Sequence, residues 1–182
     1  MSAKFTVRLT SALANHPLPP KTLLVQAPGE PLARVLLKLL AFVLFQRERL
    51  QLEPRLHDDD IPFIPGLVQL DYELRPALWI ECGATPAERL DKLAVKAARS
   101  EIWVVLRSLV EMEQQLGEMH RLGLRERRYR LLGFEAAVFD ELLALLTDRN
   151  ELSLYRLDWS ERQVQLDFNG IWFEGALEVR EF

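Results

Sequence analysis

The stretch Leu67-Val68-Gln69-Leu70-Asp71-Tyr72-Glu73-Leu74-Arg75-Pro76-Ala77-Leu78-Trp79-Ile80-Glu81-Cys82-Gly83, followed by Thr85-Pro86-Ala87-Glu88-Arg89-Leu90-Asp91-Lys92, decides the fold. It reads as a strand hairpin feeding a helix. With the turn near Arg75-Pro76, side chains alternate between faces along both strands. Val68, Leu70, Tyr72, Leu78, Ile80 and Cys82 then share an apolar face. Leu67, Gln69, Asp71, Ala77, Trp79 and Glu81 share the other. This register makes Asp71 and Glu81 diagonal neighbours, roughly 7–8 Å apart. A slip of one residue would separate them onto opposite faces. Thr85 is an N-cap type, Pro86 suits the first helical position, and Glu88 completes a capping box with Thr85. Lys92 lies about two turns into the helix and can reach back toward a strand end.

Outside this stretch the chain reads as one α/β domain, residues 1–182. Its 182 residues are 49% hydrophobic and 27% charged, enough for a full core. A formal charge of −4 and a pI near 5.5 give no global positive field for nucleic acid, so any such contact needs a local basic patch. One cysteine excludes a disulfide framework within the chain. The start, Met1 to Arg8, alternates instead of running apolar as a signal peptide does. The apolar run Val35 to Phe45 contains Lys38 and is too short to span a bilayer. The expectation is a cytoplasmic protein with no membrane partner.

Phe5, Val7 and Leu9 alternate with polar residues as in a short edge strand, and Thr22–Val25 supplies a strand to pair with it. Pro31 opens a helix from Leu32 to Gln46 that is apolar nearly all round, so it must be buried between layers or covered by a partner. Leu50–Leu52 reads as a brief strand. Residues 57–66 form a loop with the acids Asp58, Asp59 and Asp60 and two prolines. Ile102–Leu106 is apolar throughout, like a central strand buried on both faces. With strand 77–82 and helix 86–99 it makes a βαβ unit, which requires parallel strands. Helices follow at 109–121 and 134–147. A meander of 151–157, 163–168 and 171–179 ends the chain, with Asn169-Gly170 as its hairpin signal.

At Leu37-Lys38-Leu39-Leu40-Ala41-Phe42, Leu78-Trp79-Ile80-Glu81-Cys82-Gly83 and Glu88-Arg89-Leu90-Asp91-Lys92-Leu93-Ala94 the chain resembles the YaeQ family, a bacterial family of largely unknown function. The resemblance covers nearly the whole chain and is weakest over the N-terminal strands. It implies a variant of the PD-(D/E)XK restriction-endonuclease-like core: a mixed sheet flanked by helices, with N-terminal and C-terminal antiparallel β extensions. It also implies a site made of an Asp at the start of the hairpin, a Glu in its second strand, and a Lys moved onto the following helix. Glu81 matches the Glu and Lys92 the Lys. The Asp falls on Gly66, or on Phe63 with a short insertion. Arg34 matches the family's arginine in the first helix, but Ala33 stands where an acid is expected before it.

In this fold the Glu, the carbonyl after it and the Asp share Mg²⁺ or Mn²⁺, and hard ions of this kind want oxygen ligands. Glu81 with the Cys82 backbone carbonyl is a poor donor set. Asp71, or one of Asp58–Asp60, is the acid available to complete it. Two functions follow. One is a nuclease-like fold with a degenerate metal site, acting as a binding or structural module for an unknown protein partner. The other is a Mg/Mn-dependent nuclease using Glu81, Lys92 and a relocated acid such as Asp71. The missing Asp, Ala33 and the acidic pI favour the first. Against these stand the ordinary readings: Lys92 as a solvated helix lysine, Asp71 as a strand's polar face, Asp58–Asp60 as a solvated loop, Cys82 as core packing. Arg125, Arg127, Arg128 and Arg130 form the one basic patch, where Tyr129 could stack on a base. Trp79, Trp103, Trp159 and Trp172 read mostly as core or sheet-face residues. His16, His57 and His120 lack metal-ligand spacing.

Overall fold

The alternating stretches become strands of a single mixed sheet that curls around the chain's most apolar helix. The computed structural model describes residues 2–54 and 63–182. In chain order the elements are β1 (Lys4–Ser11), β2 (Lys21–Val25), α1 (Leu32–Leu44), β3 (Leu50–Leu52), β4 (Leu67–Leu70), β5 (Pro76–Cys82), α2 (Ala87–Lys96), β6 (Glu101–Leu106), α3 (Leu109–Arg121), β7 (Tyr129–Phe134), α4 (Ala136–Leu145), β8 (Arg149–Asp158), β9 (Gln163–Phe168) and β10 (Ile171–Glu181). The sheet order is β2-β1-β8-β9-β10-β7-β6-β5-β4-β3. No described helix is long and apolar enough to cross a membrane.

Two joints make this one sheet. β1 pairs with β8 in parallel, so the Phe5–Leu9 strand lies inside the sheet and not at its edge; β2 takes the edge. β10 is long enough to serve two partners: Ile171–Ala176 pair with β9, and Leu177–Glu181 pair with β7. The N- and C-terminal strands are therefore fused to the βαβ core. Asn169 and Gly170 both have positive φ, 54° and 83°, as a two-residue hairpin turn requires. Phe134, expected in the fourth helix, ends β7 opposite Leu177.

The all-round apolar helix is covered within the chain. Every residue of α1 from Val35 to Leu44 is buried, and both sheet edges, β2 and β3, pack against it. Lys38 is fully buried. Its ammonium donates to the Val25 carbonyl at the end of β2 (3.4 Å) and pairs with Glu30 (2.9 Å) and with Glu53 just beyond β3 (3.0 Å). The nearly closed sheet is thus latched by one lysine. Leu67, Leu78, Ile80, Cys82, Trp103 and Val105 face α1. Val68, Trp79, Ile102, Val104 and Leu106 face α2 and α3, meeting Leu90, Leu93, Met112 and Met119.

The central hairpin differs from its expected register. Leu67 pairs with Ile80 and Val68 with Trp79, so the β4 side chains sit on the opposite faces from those anticipated. The turn is not at Arg75-Pro76. It spans Asp71 to Arg75, with Leu74 at φ 63°, and a bulge falls at Gln69/Leu70. Pro76 instead opens β5, a position where its missing N–H costs little. β5 and β6 are parallel across α2, as the βαβ reading requires.

Candidate functional site

Glu81 is the penultimate residue of β5 and faces α2. It is only 2% exposed. A carboxylate there must be compensated, because an isolated buried charge costs several kcal/mol. Three N–H groups converge on its Oε1: the Trp79 indole Nε1 at 2.9 Å, and Arg89 Nε at 3.2 Å and Nη2 at 2.7 Å. Arg89 comes from the first turn of α2. Its Nη2 also donates to the Ile64 carbonyl at 3.0 Å, and its guanidinium stacks over the Phe63 ring at 4.9 Å. Strand, helix start and the segment before β4 are held by this one arginine. Sequence reasoning passed over Arg89; the only signal was an acid at the buried end of a strand followed by an arginine in the next helix.

The other expected site residues are dispersed. Lys92 is exposed, one turn beyond Arg89, and makes no ion pair among the described residues. Asp71 caps its own turn: Oδ1 accepts the Glu73 N–H at 2.8 Å and the Arg75 N–H at 2.9 Å. From there to Glu81 runs the full length of β5, about 20 Å at strand rise. The structure does not bring Asp71 and Glu81 together. Asp58, Asp59 and Asp60 lie outside the described residues. At Gly66, where the resemblance puts an Asp, a Cβ would meet Cys82 Sγ and the Ile80 carbonyl, each at 3.0 Å. Among the described residues, no three His, Cys, Asp or Glu side chains converge where they could hold a metal ion.

Cys82 faces α1 and is buried. Burial pushes its thiol far above the ordinary range; the Glu81 and Glu53 carboxylates add to this, while Arg34 and Lys38 oppose it. A neutral thiol of this kind packs and does not react. Of the groups that act on it, Arg34, Lys38 and Glu53 belong to a second charged cluster, on the α1 side, which the sequence did not reveal. Glu30 accepts from Lys38 and the Ala27 N–H and pairs with Arg34 at 3.4 Å, while Glu53 takes the third position on Lys38. The signal was present in Lys38 alone, a cation inside an apolar run.

The expected capping box is absent. Thr85 is buried and its hydroxyl donates to the Gly83 carbonyl at 3.0 Å. Its backbone is clamped by Gln115 of α3, which accepts the Thr85 N–H (2.8 Å) and donates to its carbonyl (2.9 Å). A buried amide side chain matched to both backbone groups fixes the β5–α2 turn in place of a cap.

The basic patch divides. Arg128 donates to the carbonyls of Ser100 and Ala97, both at 2.7 Å, closing the end of α2. Arg130 pairs with Glu181 at 3.3 Å and lies over Trp103. Arg125 and Arg127 are exposed. Tyr129 is buried and donates to the Leu90 carbonyl at 3.2 Å, so its ring has no face for a base. Of the tryptophans, Trp79 and Trp103 are core; Trp159 and Trp172 are 39% and 53% exposed.

These features define a mixed α/β protein whose nearly closed ten-stranded sheet wraps a buried helix and carries a βαβ unit with an arginine-neutralised carboxylate. Residues 3–168 match the sequence model of the YaeQ protein family, and the chain belongs to that family. Two solved structures are similar over its whole length. The YaeQ protein from Xanthomonas axonopodis pv. citri has a TM-score of 0.79 at 24% identity, covering 100% of this chain and 99% of the other. The YaeQ protein from Pseudomonas syringae has a TM-score of 0.75 at 18% identity, covering 100% and 96%. At these identities the likeness is one of fold. The curated proteins include no match to the chain.

Proposed function

We propose that this protein is a binding module on a restriction-endonuclease-like core that has exchanged its catalytic metal site for an ion pair. The hairpin β4–β5 followed by the parallel β5–α2–β6 unit supports the assignment of that core. The observation that carries the functional reading is the occupancy of Glu81: its Oε1 already receives three donors, two of them from a guanidinium. A metal at Glu81 would meet the Arg89 cation, and like charges at that distance repel. The remaining donor set fits an ion no better. Gly66 brings no carboxylate, and Asp71 spends Oδ1 on its own turn.

The second reading is a Mg²⁺- or Mn²⁺-dependent nuclease with Glu81, Lys92 and the Cys82 carbonyl in the site and Asp71 as the relocated acid. Retention of Glu81 and Lys92 speaks for it; the exposure of Lys92 and the position of Asp71 speak against it. Within the Arg125–Arg130 patch, nucleic-acid contact is left to the exposed Arg125 and Arg127. A cleavage assay on single- and double-stranded DNA and RNA with added Mn²⁺ separates the two. The binding-module reading expects no cleavage above a Glu81→Ala control. Metal-dependent cleavage that disappears in Glu81→Ala would overturn it.

A further inference from the structure

A groove of about 580 Å³ opens on the side of the sheet away from Glu81, between the end of α1, strands β6 and β7, and the β8–β9 turn. Its volume is that of a small-molecule site. Three aromatic rings form its wall. Phe45 meets Trp103 edge-on at 4.9 Å and Trp159 at 5.3 Å, and the two tryptophans are 6.1 Å apart. Phe45 and Trp103 are buried, whereas Trp159 leaves 39% of its surface open.

The β8–β9 turn holds Trp159 in place. Asp158 Oδ1 accepts the Ser160 N–H (3.0 Å), the Ser160 hydroxyl (2.7 Å) and the Glu161 N–H (2.9 Å). An aromatic held by such a turn loses little freedom when something stacks on it.

The rim is cationic. Arg47, Arg130 and Arg162 line the groove with one acid, Glu101. Arg130 is committed to Glu181 and to the Trp103 face. Arg47 and Arg162 have weaker ties: among the described residues each has one ion pair, at 3.9 Å, beyond hydrogen-bond length. Gln46 also lines the groove, and its Oε1 is buried with no hydrogen-bond partner among the described residues. A buried amide oxygen without a donor is costly, and a donor brought to it, from a ligand N–H or a water, satisfies it.

A flat ring to stack, an N–H to fill the Gln46 acceptor and an anion for two loosely held guanidiniums together describe one ligand class. We propose that this groove binds a nucleotide, with its base on Trp159, a base N–H on Gln46, and its phosphate at Arg47 and Arg162. The shared chemistry is a base bearing a phosphate, whether free or within a single strand. The site is independent of the Glu81 reading, because Trp103 faces α1 while Glu81 faces α2.

The test is calorimetric titration of the full chain with AMP, with GMP, with an eight-residue oligo(dA) and with inorganic phosphate. Three variants run in parallel: Trp159→Ala, Arg162→Gln, and Trp172→Ala as a control. Trp172 is an exposed tryptophan outside the groove, packed on Tyr155. Circular dichroism verifies that each variant is folded. Saturable binding of AMP or GMP is expected, weakened about 5- to 150-fold by Trp159→Ala, the range for loss of one stacked base. Arg162→Gln weakens it too, and Trp172→Ala leaves it unchanged. Oligo(dA) binding much tighter than AMP, with the same loss in Trp159→Ala, supports the proposal and assigns the single strand as the source. Comparable affinities assign the free nucleotide. No saturable nucleotide binding at millimolar concentration overturns the proposal. So does nucleotide affinity equal to that of phosphate alone, or affinity indifferent to Trp159→Ala.

Discussion

Replacing Lys38 by methionine keeps an unbranched apolar stem inside α1, one atom shorter, and removes the ammonium with its charge and its donors. In the native protein that charge pairs with Glu30 at 2.9 Å and Glu53 at 3.0 Å, and reaches the Val25 carbonyl at 3.4 Å. Breaking a buried ion pair by removing one partner typically costs about 3–5 kcal/mol. The low end applies here. The Glu53 side chain is 32% exposed and can rehydrate, and Glu30 keeps Arg34 and the Ala27 N–H. A loss of about 3 kcal/mol is a large part of the 5–15 kcal/mol that stabilises a typical domain. In a chain of this size it lowers the melting temperature by about 6–12 °C. The assay is thermal and urea unfolding followed by circular dichroism. A triple variant, Lys38→Met with Glu30→Gln and Glu53→Gln, removes the stranded acids and recovers part of the loss. If Lys38→Met melts within about 1 °C of wild type (less than 0.5 kcal/mol on the same scale), the lysine does not latch the sheet edges and the reasoning fails.

Gly66→Asp restores the acid that the family resemblance expects. Its Cβ has Cys82 Sγ and the Ile80 carbonyl at 3.0 Å, so the variant should lose about 1–3 kcal/mol of stability by overpacking; unfolding equal to wild type in urea would show that the strand ends can part. The Asp158 carboxyl is held down, from 3.8 to about 2, chiefly by the Glu161 N–H and then by the Ser160 hydroxyl. A depressed carboxyl stabilises its turn above its ordinary range and loses that contribution as pH falls through about 2. Trp159 emission should therefore shift between pH 4 and 2, about the span of that titration, and Asp158→Asn should abolish the shift; a flat emission would contradict it. Cys82 should resist thiol reagents until the protein unfolds, and rapid native labelling would contradict its burial.

Much of the fold could be read from periodicity. The alternation in β5, the continuous apolar run of β6 and the Asn169-Gly170 turn each specify local structure that tertiary packing then retained. The apolar helix was read as needing cover, and the curled sheet supplies it. The register of the β4–β5 hairpin was not legible. A proline at 76 looks like a turn, whereas the turn is made by the Asp71 side chain, which accepts the N–H groups two and four residues further on. That contact has no signature stronger than an Asp among polar neighbours. The site was half legible. Glu81 stood out as an acid ending an apolar strand, but its partner depends on which way α2 leaves the sheet. The turn that sets this direction is clamped by Gln115, thirty residues downstream. Lys38 was visible as an anomaly, while Glu30 and Glu53 become its partners only when the sheet closes.

The central claim is that the Glu81 carboxylate is committed to Arg89 and not to a metal. Calorimetric titration with Mn²⁺ and Mg²⁺, on wild type and Glu81→Ala side by side, addresses it most directly. The account predicts no saturable binding by either protein up to millimolar metal, about the weak limit for such ions at protein sites. Saturable binding by wild type that vanishes in Glu81→Ala would contradict it, and would return this carboxylate to a metal centre.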